Sequence, residues 1–215
     1  MNLADLPLAS LSLLGPLALF ALVASITPGP NNVMLAASGL NFGVRRSVPH
    51  MLGVSVGFSL MLVLVGLGLG AAFQRLPVLY DVLKYAGALY LLYLAWKIAT
   101  AGPLENGTTR GRPFTFLQAA LFQWVNPKAW VMAVGVIATY TPQHGFFGNL
   151  LIAALVCWAV NLPSIGVWVM FGSVLRRWLH RPAAIRGFNV TMALLLVASL
   201  YPVAAELAGK VPGQS

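Results

Sequence analysis

Thr27-Pro28-Gly29-Pro30-Asn31-Asn32 interrupts a stretch that carries no charge from Leu6 to Leu40, and its reading decides the fold. The prolines remove backbone donors, and Gly29 frees the chain from helical geometry. The flanks are too apolar for a water-facing loop. About 20 apolar residues cross the ~30 Å of a bilayer's hydrocarbon. In that medium each unpaired backbone group costs several kcal/mol, so irregular backbone survives only against protein or a wet cavity. The break therefore predicts an interior site at mid-depth of a membrane span. Asn31 and Asn32 would open a second half-helix, whose free N–H groups and positive dipole end suit an anion such as a carboxylate. The plainer alternative is a proline kink propped by neighbouring helices. Paired prolines followed by two amides that need partners favour the site.

Composition places this break in a membrane. Of 215 residues, 59% are hydrophobic and 8% charged, and mean hydropathy is +0.84. Soluble domains average roughly a quarter charged residues. Apolar windows predict an all-α fold, a polytopic membrane bundle of six transmembrane helices near residues 16–40, 48–73, 80–99, 114–140, 146–175 and 188–208. The whole chain, 1–215, reads as one transporter domain. Continuous runs without period-2 alternation exclude a β-barrel. Pro16, preceded by Gly15, is expected to start the first helix. That puts the break near the bilayer centre and leaves residues 3–14 as a segment on the outer surface. No Lys or Arg precedes the first apolar run, so it reads as a retained span rather than a cleavable signal.

The fourth span repeats the device in Val125-Asn126-Pro127-Lys128-Ala129-Trp130. Lys128 is the one charge placed deep in a span. Burying it costs at least ~2.5–3.5 kcal/mol, so it should face the interior and find a partner. That partner could be a substrate carboxylate, or the amine could change protonation during transport. Snorkelling would need a reach of ~20 Å at 1.5 Å per residue, which is too far. Asn161-Leu162-Pro163-Ser164 is a third polar break, equally readable as cavity lining or as a kink.

The halves echo each other. Each opens with a broken span and closes with one entered from a basic residue, Lys84 or Arg186. Three spans per half turn the second copy upside down. The expectation is two inverted repeats, about 1–100 and 114–210, joined by a polar linker at 100–113. Paired broken helices in inverted halves point to a transporter site at the repeat interface.

The net charge of +9 sits mostly in short loops. Nine basic residues (Arg45, Arg46, Lys97, Arg110, Arg112, Arg176, Arg177, Arg181, Arg186) fall on one side. Arg75, Lys84 and Lys210 fall on the other, with Asp81 close enough to pair with Lys84. The bias puts the odd loops in the cytoplasm and both termini outside. It fits anionic lipid head groups rather than nucleic acid. The single Cys157 reads as a packing residue. The four acidic residues lie at span ends or in loops, and no nucleophile–base pair or metal-ligand group appears. Neither an enzyme nor a resident cofactor is expected. His50, near the cytoplasmic start of the second span, is a lone proton-relay candidate. Gly53xxxGly57 and Gly66-Leu67-Gly68-Leu69-Gly70 allow close helix approach, either within the chain or as a homodimer face.

ITPGPNNVMLAASGLNFGVRRS, GALYLLYLAWKIAT and LQAALFQWVNPKAWVMAVG together resemble the LysE/RhtB amino-acid exporters of bacteria, over nearly the whole chain. TPGPNN and LAWKIAT are similar in wording to the family's cysteine/O-acetylserine exporter branch, whereas VNPKAW follows the general pattern. The resemblance implies an inner-membrane secondary exporter of amino acids or derivatives, driven by the proton gradient. It also implies that the positions around 28–32 and 126–128 line the pathway. Some relatives carry an acid just after the GP of the first motif, where this chain has Asn31.

The combined expectation is export of a small zwitterionic amino acid by alternating access. Its site would be drawn from Pro28, Gly29, Pro30, Asn31, Asn32, Asn126, Pro127, Lys128 and Asn161. A channel or cation exporter would call for acidic pore residues. A membrane assembly factor would leave two mid-span breaks unexplained.

Overall fold

The computed structural model describes residues 8–69, 77–103, 109–179 and 181–207, and these are almost entirely helical. Helix α1 (Leu8–Ile26) is followed by the break, then by α2 (Pro30–Leu64), which passes into a π turn at Val65–Leu69. Helix α3 (Pro77–Ala99) precedes a two-residue antiparallel ladder of Gly102–Pro103 with Thr109–Arg110. Then come α4 (Phe116–Phe122), a 3-10 turn (Gln123–Val125) and α5 (Pro127–Tyr140). Helices α6 (Phe146–Trp178), α7 (Pro182–Ala198) and α8 (Tyr201–Leu207) complete the chain. Residues 3–7, the Asp81 and Lys84 side chains, Arg75 and Lys210 lie outside what is described.

The exterior suits lipid. Leu89 is 69% exposed and Val131 73%, and large apolar side chains stand outward on most of the helices. By length and apolarity alone, 30–69 and Phe146–Trp178 could each cross a membrane. The first of these is not one rod. Within Pro30–Leu64 Gly43 alone is non-helical (φ 77, ψ 171), and there the chain doubles back. Ser38 and Ser47 Oγ atoms meet at 2.8 Å although nine residues apart; a straight helix would separate them by ~13 Å. Gly43 thus divides α2 into a first limb and a return limb.

Pro16 does not start the first helix, contrary to the sequence expectation. Helix α1 begins at Leu8 and runs through Pro16. A membrane helix tolerates an internal proline when neighbours re-satisfy the freed backbone groups. Residues 8–14 therefore extend α1 instead of lying on the surface.

Two apolar clusters flank the breaks. One joins Leu17 and Ala21 of α1 to the return limb (Phe58, Met61), α5 (Met132, Val136) and the first part of α6 (Leu150, Cys157). Cys157 is a packing residue there, as expected. The other joins the first limb (Val33, Met34) to α3 (Leu91, Leu94), Phe114, Phe122 and α7 (Ala193, Leu196). Glycines bring the helices to backbone contact. A Cβ on Gly172 would lie 2.0 Å from the Ala36 carbonyl oxygen, and one on Gly39 2.1 Å from that of Val169. Gly53 and Gly57 are used in the same way within the chain, against Phe116 and Ala120 of α4.

The segments read as one basic side do converge. Asn41 and Asn189 exchange side-chain hydrogen bonds of 2.7 and 3.0 Å, and Asn189 also donates to the Ala101 carbonyl at 2.8 Å. The chain near Arg45, Lys97 and Arg186 therefore lies at one end of the bundle.

Gly43→Ala should destabilise the protein by about 1–3 kcal/mol, because only glycine adopts that dihedral region readily, although the site has open space. Gly148→Ala, also in open space but helical, should be neutral or slightly stabilising. Thermal unfolding of both variants in detergent separates backbone strain from crowding.

Candidate functional site

Each break is built as a helix start. Gly29 is the N-cap of α2 with Pro30 in its first turn, and Asn126 is the N-cap of α5 with Pro127 in its first turn. Proline suits that position because its missing N–H would be unpaired anyway. The prolines thus begin half-helices rather than bend continuous ones. The two starts differ in their caps. Asn126 accepts from the Lys128 backbone N–H at 3.2 Å. Gly29 offers no side chain, and among the described residues no acceptor takes the N–H of Asn31 or Asn32.

The two breaks touch. Lys128 Nζ donates to the Thr27 carbonyl at 2.8 Å and to Thr27 Oγ1 at 2.9 Å, with the Pro28 carbonyl at 3.5 Å. Its partner is the frayed C-terminal end of α1, where the dipole is negative. Gly29 permits this, since a Cβ there would stand 3.0 Å from Lys128 Cδ. In return, Asn31 Nδ2 donates to Gln123 Oε1 at 2.8 Å and Gln123 Nε2 donates back at 3.3 Å. Asn32 Nδ2 donates to the carbonyls of Ser25 (2.7 Å) and Thr27 (2.8 Å). Trp168 Nε1 takes the Ile26 carbonyl at 3.1 Å. Asn161 Nδ2 donates to Ser25 Oγ at 3.0 Å. Its Oδ1 is buried with no partner.

Several of these groups line one cavity of about 380 Å³, counted with its open mouth. Of the nine residues singled out from sequence, Gly29, Asn31, Asn32, Asn126, Lys128 and Asn161 line it, whereas Pro28, Pro30 and Pro127 do not. Ser25 and Gln123 line it too and went unnoticed in the sequence. Gln123 carried a signal, as an amide inside an apolar run three residues before Asn126. The cavity presents donors on one side, the α2 amides and Lys128, and an acceptor on another, Asn161 Oδ1. Apolar wall is supplied by Val54, Phe58, Met132 and Ile165. Among the described residues no group of His, Cys, Asp or Glu could hold a metal ion.

The family model described as LysE type translocator matches residues 22–205, which include both breaks. The cysteine/O-acetylserine efflux proteins of Escherichia coli (strain K12) and Shigella sonnei (strain Ss046) are each 32% identical over 185 residues, covering 83% of this chain and 90% of theirs. No solved structure matches.

Gln123→Leu should cost about 1–3 kcal/mol by stranding the Asn31 amide, and Asn31→Leu should cost a similar amount. The double variant should lose less than the sum of the two, as thermal unfolding in a double-mutant cycle would register.

Proposed function

The chain belongs to the LysE type translocator family, a family of membrane efflux proteins rather than enzymes, and from that premise we propose that it exports a small zwitterionic amino acid or close derivative. Export runs from the cytoplasm across the bacterial inner membrane, by alternating access driven by protons. The observation that carries the reading is the single cavity with unanswered donors on one wall and an orphaned buried acceptor on another. The substrate carboxylate docks on the N–H groups of Asn31 and Asn32 beside Lys128, where the dipole and the ammonium both favour an anion. The α-ammonium donates to Asn161 Oδ1, giving a buried acceptor the partner it lacks. Val54, Phe58, Met132 and Ile165 then meet a short, uncharged side chain. Cysteine and O-acetylserine, named for the relatives, are the first candidates.

Alternating access is supported by how the breaks hold each other. The residue just after the second break reaches back to the first, and the residue just after the first reaches the turn before the second. Such reciprocity is what two inverted repeats of three spans would produce, with six crossings, both termini outside and the 100–113 linker in the cytoplasm. Opening one side means exchanging the Lys128–Thr27 contacts for substrate. A homodimer, if formed, would use a face other than the buried Gly53–Gly57 ridge.

Expression in an exporter-deficient bacterium should raise resistance to, and release of, one or more small neutral amino acids, and collapse of the proton gradient should abolish the gain. No release for any member of a broad panel would sink the exporter reading. Lys128→Met should lower the transport rate at least tenfold at normal expression. Asn161→Leu should erase the preference for an α-amino acid over its α-hydroxy analogue, and a retained preference would remove Asn161 from the ammonium site.

A further inference from the structure

His50 is fully buried, and neither ring nitrogen has a hydrogen-bond partner. A buried imidazole with both nitrogens unanswered needs an explanation, and a water or polar group that reaches it in another state of the cycle, delivering or taking a proton, supplies one. Its position adds a second observation. Ser47, His50, Val54 and Phe58 follow at spacings of three and four along the return limb, so they share one helix face. Val54 and Phe58 line the central cavity, which places His50 one turn beyond its wall. On its other side the imidazole lies 4.9 Å, centroid to centroid, from the Phe114 ring. Phe114 lines a second cavity at the basic end with Ser38, Asn41, Lys97 and Arg112. His50 thus stands between the central site and the end of the bundle that carries the basic segments.

On the limb that carries His50, Arg46 stands one turn earlier, exposed, with its guanidinium 5.9 Å from the Phe42 ring centroid and Arg45 beside it. Lys97 of α3 faces His50 across Phe114, its ammonium 4.8 Å from the ring centroid. The first limb, whose Ser38 meets Ser47, brings no ionisable side chain, and neither does α4, which packs at Gly53. Helix α6 approaches at Met51 through Gly166, and its basic residues, Arg176 and Arg177, lie in its last turn. Helix α7 contributes the neutral Asn189, with Arg186 a turn nearer the basic end.

We propose that His50 is the coupling-proton site of the exporter, gaining and losing one proton per cycle at a ring nitrogen. The assignment rests on proton-driven export as read above. Protonation puts a second cation beside Lys97 at the basic end, and the repulsion favours the state in which the two part. Release restores the neutral, closely packed arrangement of His50 on Phe114.

Proteoliposomes test this by two assays on the same preparation. One is accumulation of cysteine or O-acetylserine driven by an imposed pH gradient, with proton movement followed by a pH dye. The other is substrate–substrate exchange without a gradient. Wild type should do both, and His50→Gln should lose at least tenfold in gradient-driven accumulation while exchange stays within about twofold. Unimpaired gradient-driven accumulation in His50→Gln overturns the proposal, as does equal loss of both activities in His50→Gln and His50→Asn when each elutes as folded protein. Exchange in wild type with no gradient-driven accumulation, and no proton movement accompanying net transport, defeats proton coupling and the His50 assignment together but leaves the exporter standing. Absence of exchange for every substrate defeats the export reading itself. In ¹⁵N-histidine-labelled wild type, one imidazole should titrate with a midpoint that moves on adding substrate. Three substrate-insensitive histidines would count against His50 without any variant.

Discussion

Hydrocarbon offers nothing for a free carbonyl to bond, and the end of α1 must still terminate there. The rest of the site follows from how that termination is answered. The Ser25 carbonyl is taken by Asn32, that of Ile26 by Trp168, and that of Thr27 by both Asn32 and Lys128. Thr27 Oγ1 covers the Ala24 carbonyl and accepts from Lys128 in turn. Three other segments lend side chains to finish one helix, and the cavity is the space they enclose. The start of α2, a few residues later, is left unanswered. The proposed anion site rests on this asymmetry between a saturated acceptor end and an open donor end.

The same pairing ties the two parts of the chain into one body. Asn31 with Gln123, Ser25 with Asn161 and Asn41 with Asn189 each join residues about a hundred or more apart. Amide pairs satisfy each other only in narrow geometry, so they set register where apolar packing alone would allow sliding. The glycine contacts of Gly39 and Gly172 hold the first limb directly against α6. Rigid contacts lie along the helices, and exchangeable ones lie at the breaks.

Much of this is legible in the sequence, because polarity inside an apolar run is costly and therefore conspicuous. Asn31, Asn32, Asn126, Lys128 and Asn161 stand out on that ground alone, and all five line the cavity. Their partners are less legible. Nothing local says that Asn31 meets Gln123, or that Lys128 meets a carbonyl rather than a carboxylate, since those pairings depend on tertiary approach. The prolines point to the right places too, as starters of half-helices rather than kinks. The reversal between residues 40 and 48 is legible from Arg45 and Arg46, but not that one non-helical residue, Gly43, makes it. Pro16 misleads because a rule for helix ends in water weakens where neighbouring helices can repair the backbone.

The Lys128 contact also has a bearing on how the protein is made. The carbonyls it caps are synthesised a hundred residues before it, and at roughly 5–20 residues per second they wait on the order of 5–20 s for their partner. During that interval the end of α1 has only its near neighbours in the chain, Asn32 and Thr27 Oγ1, to answer its carbonyls. The first broken helix cannot be released into lipid as a finished piece, so the order of biogenesis is written into the site. Assembly of the core completes only once the second break has emerged and closed on the first.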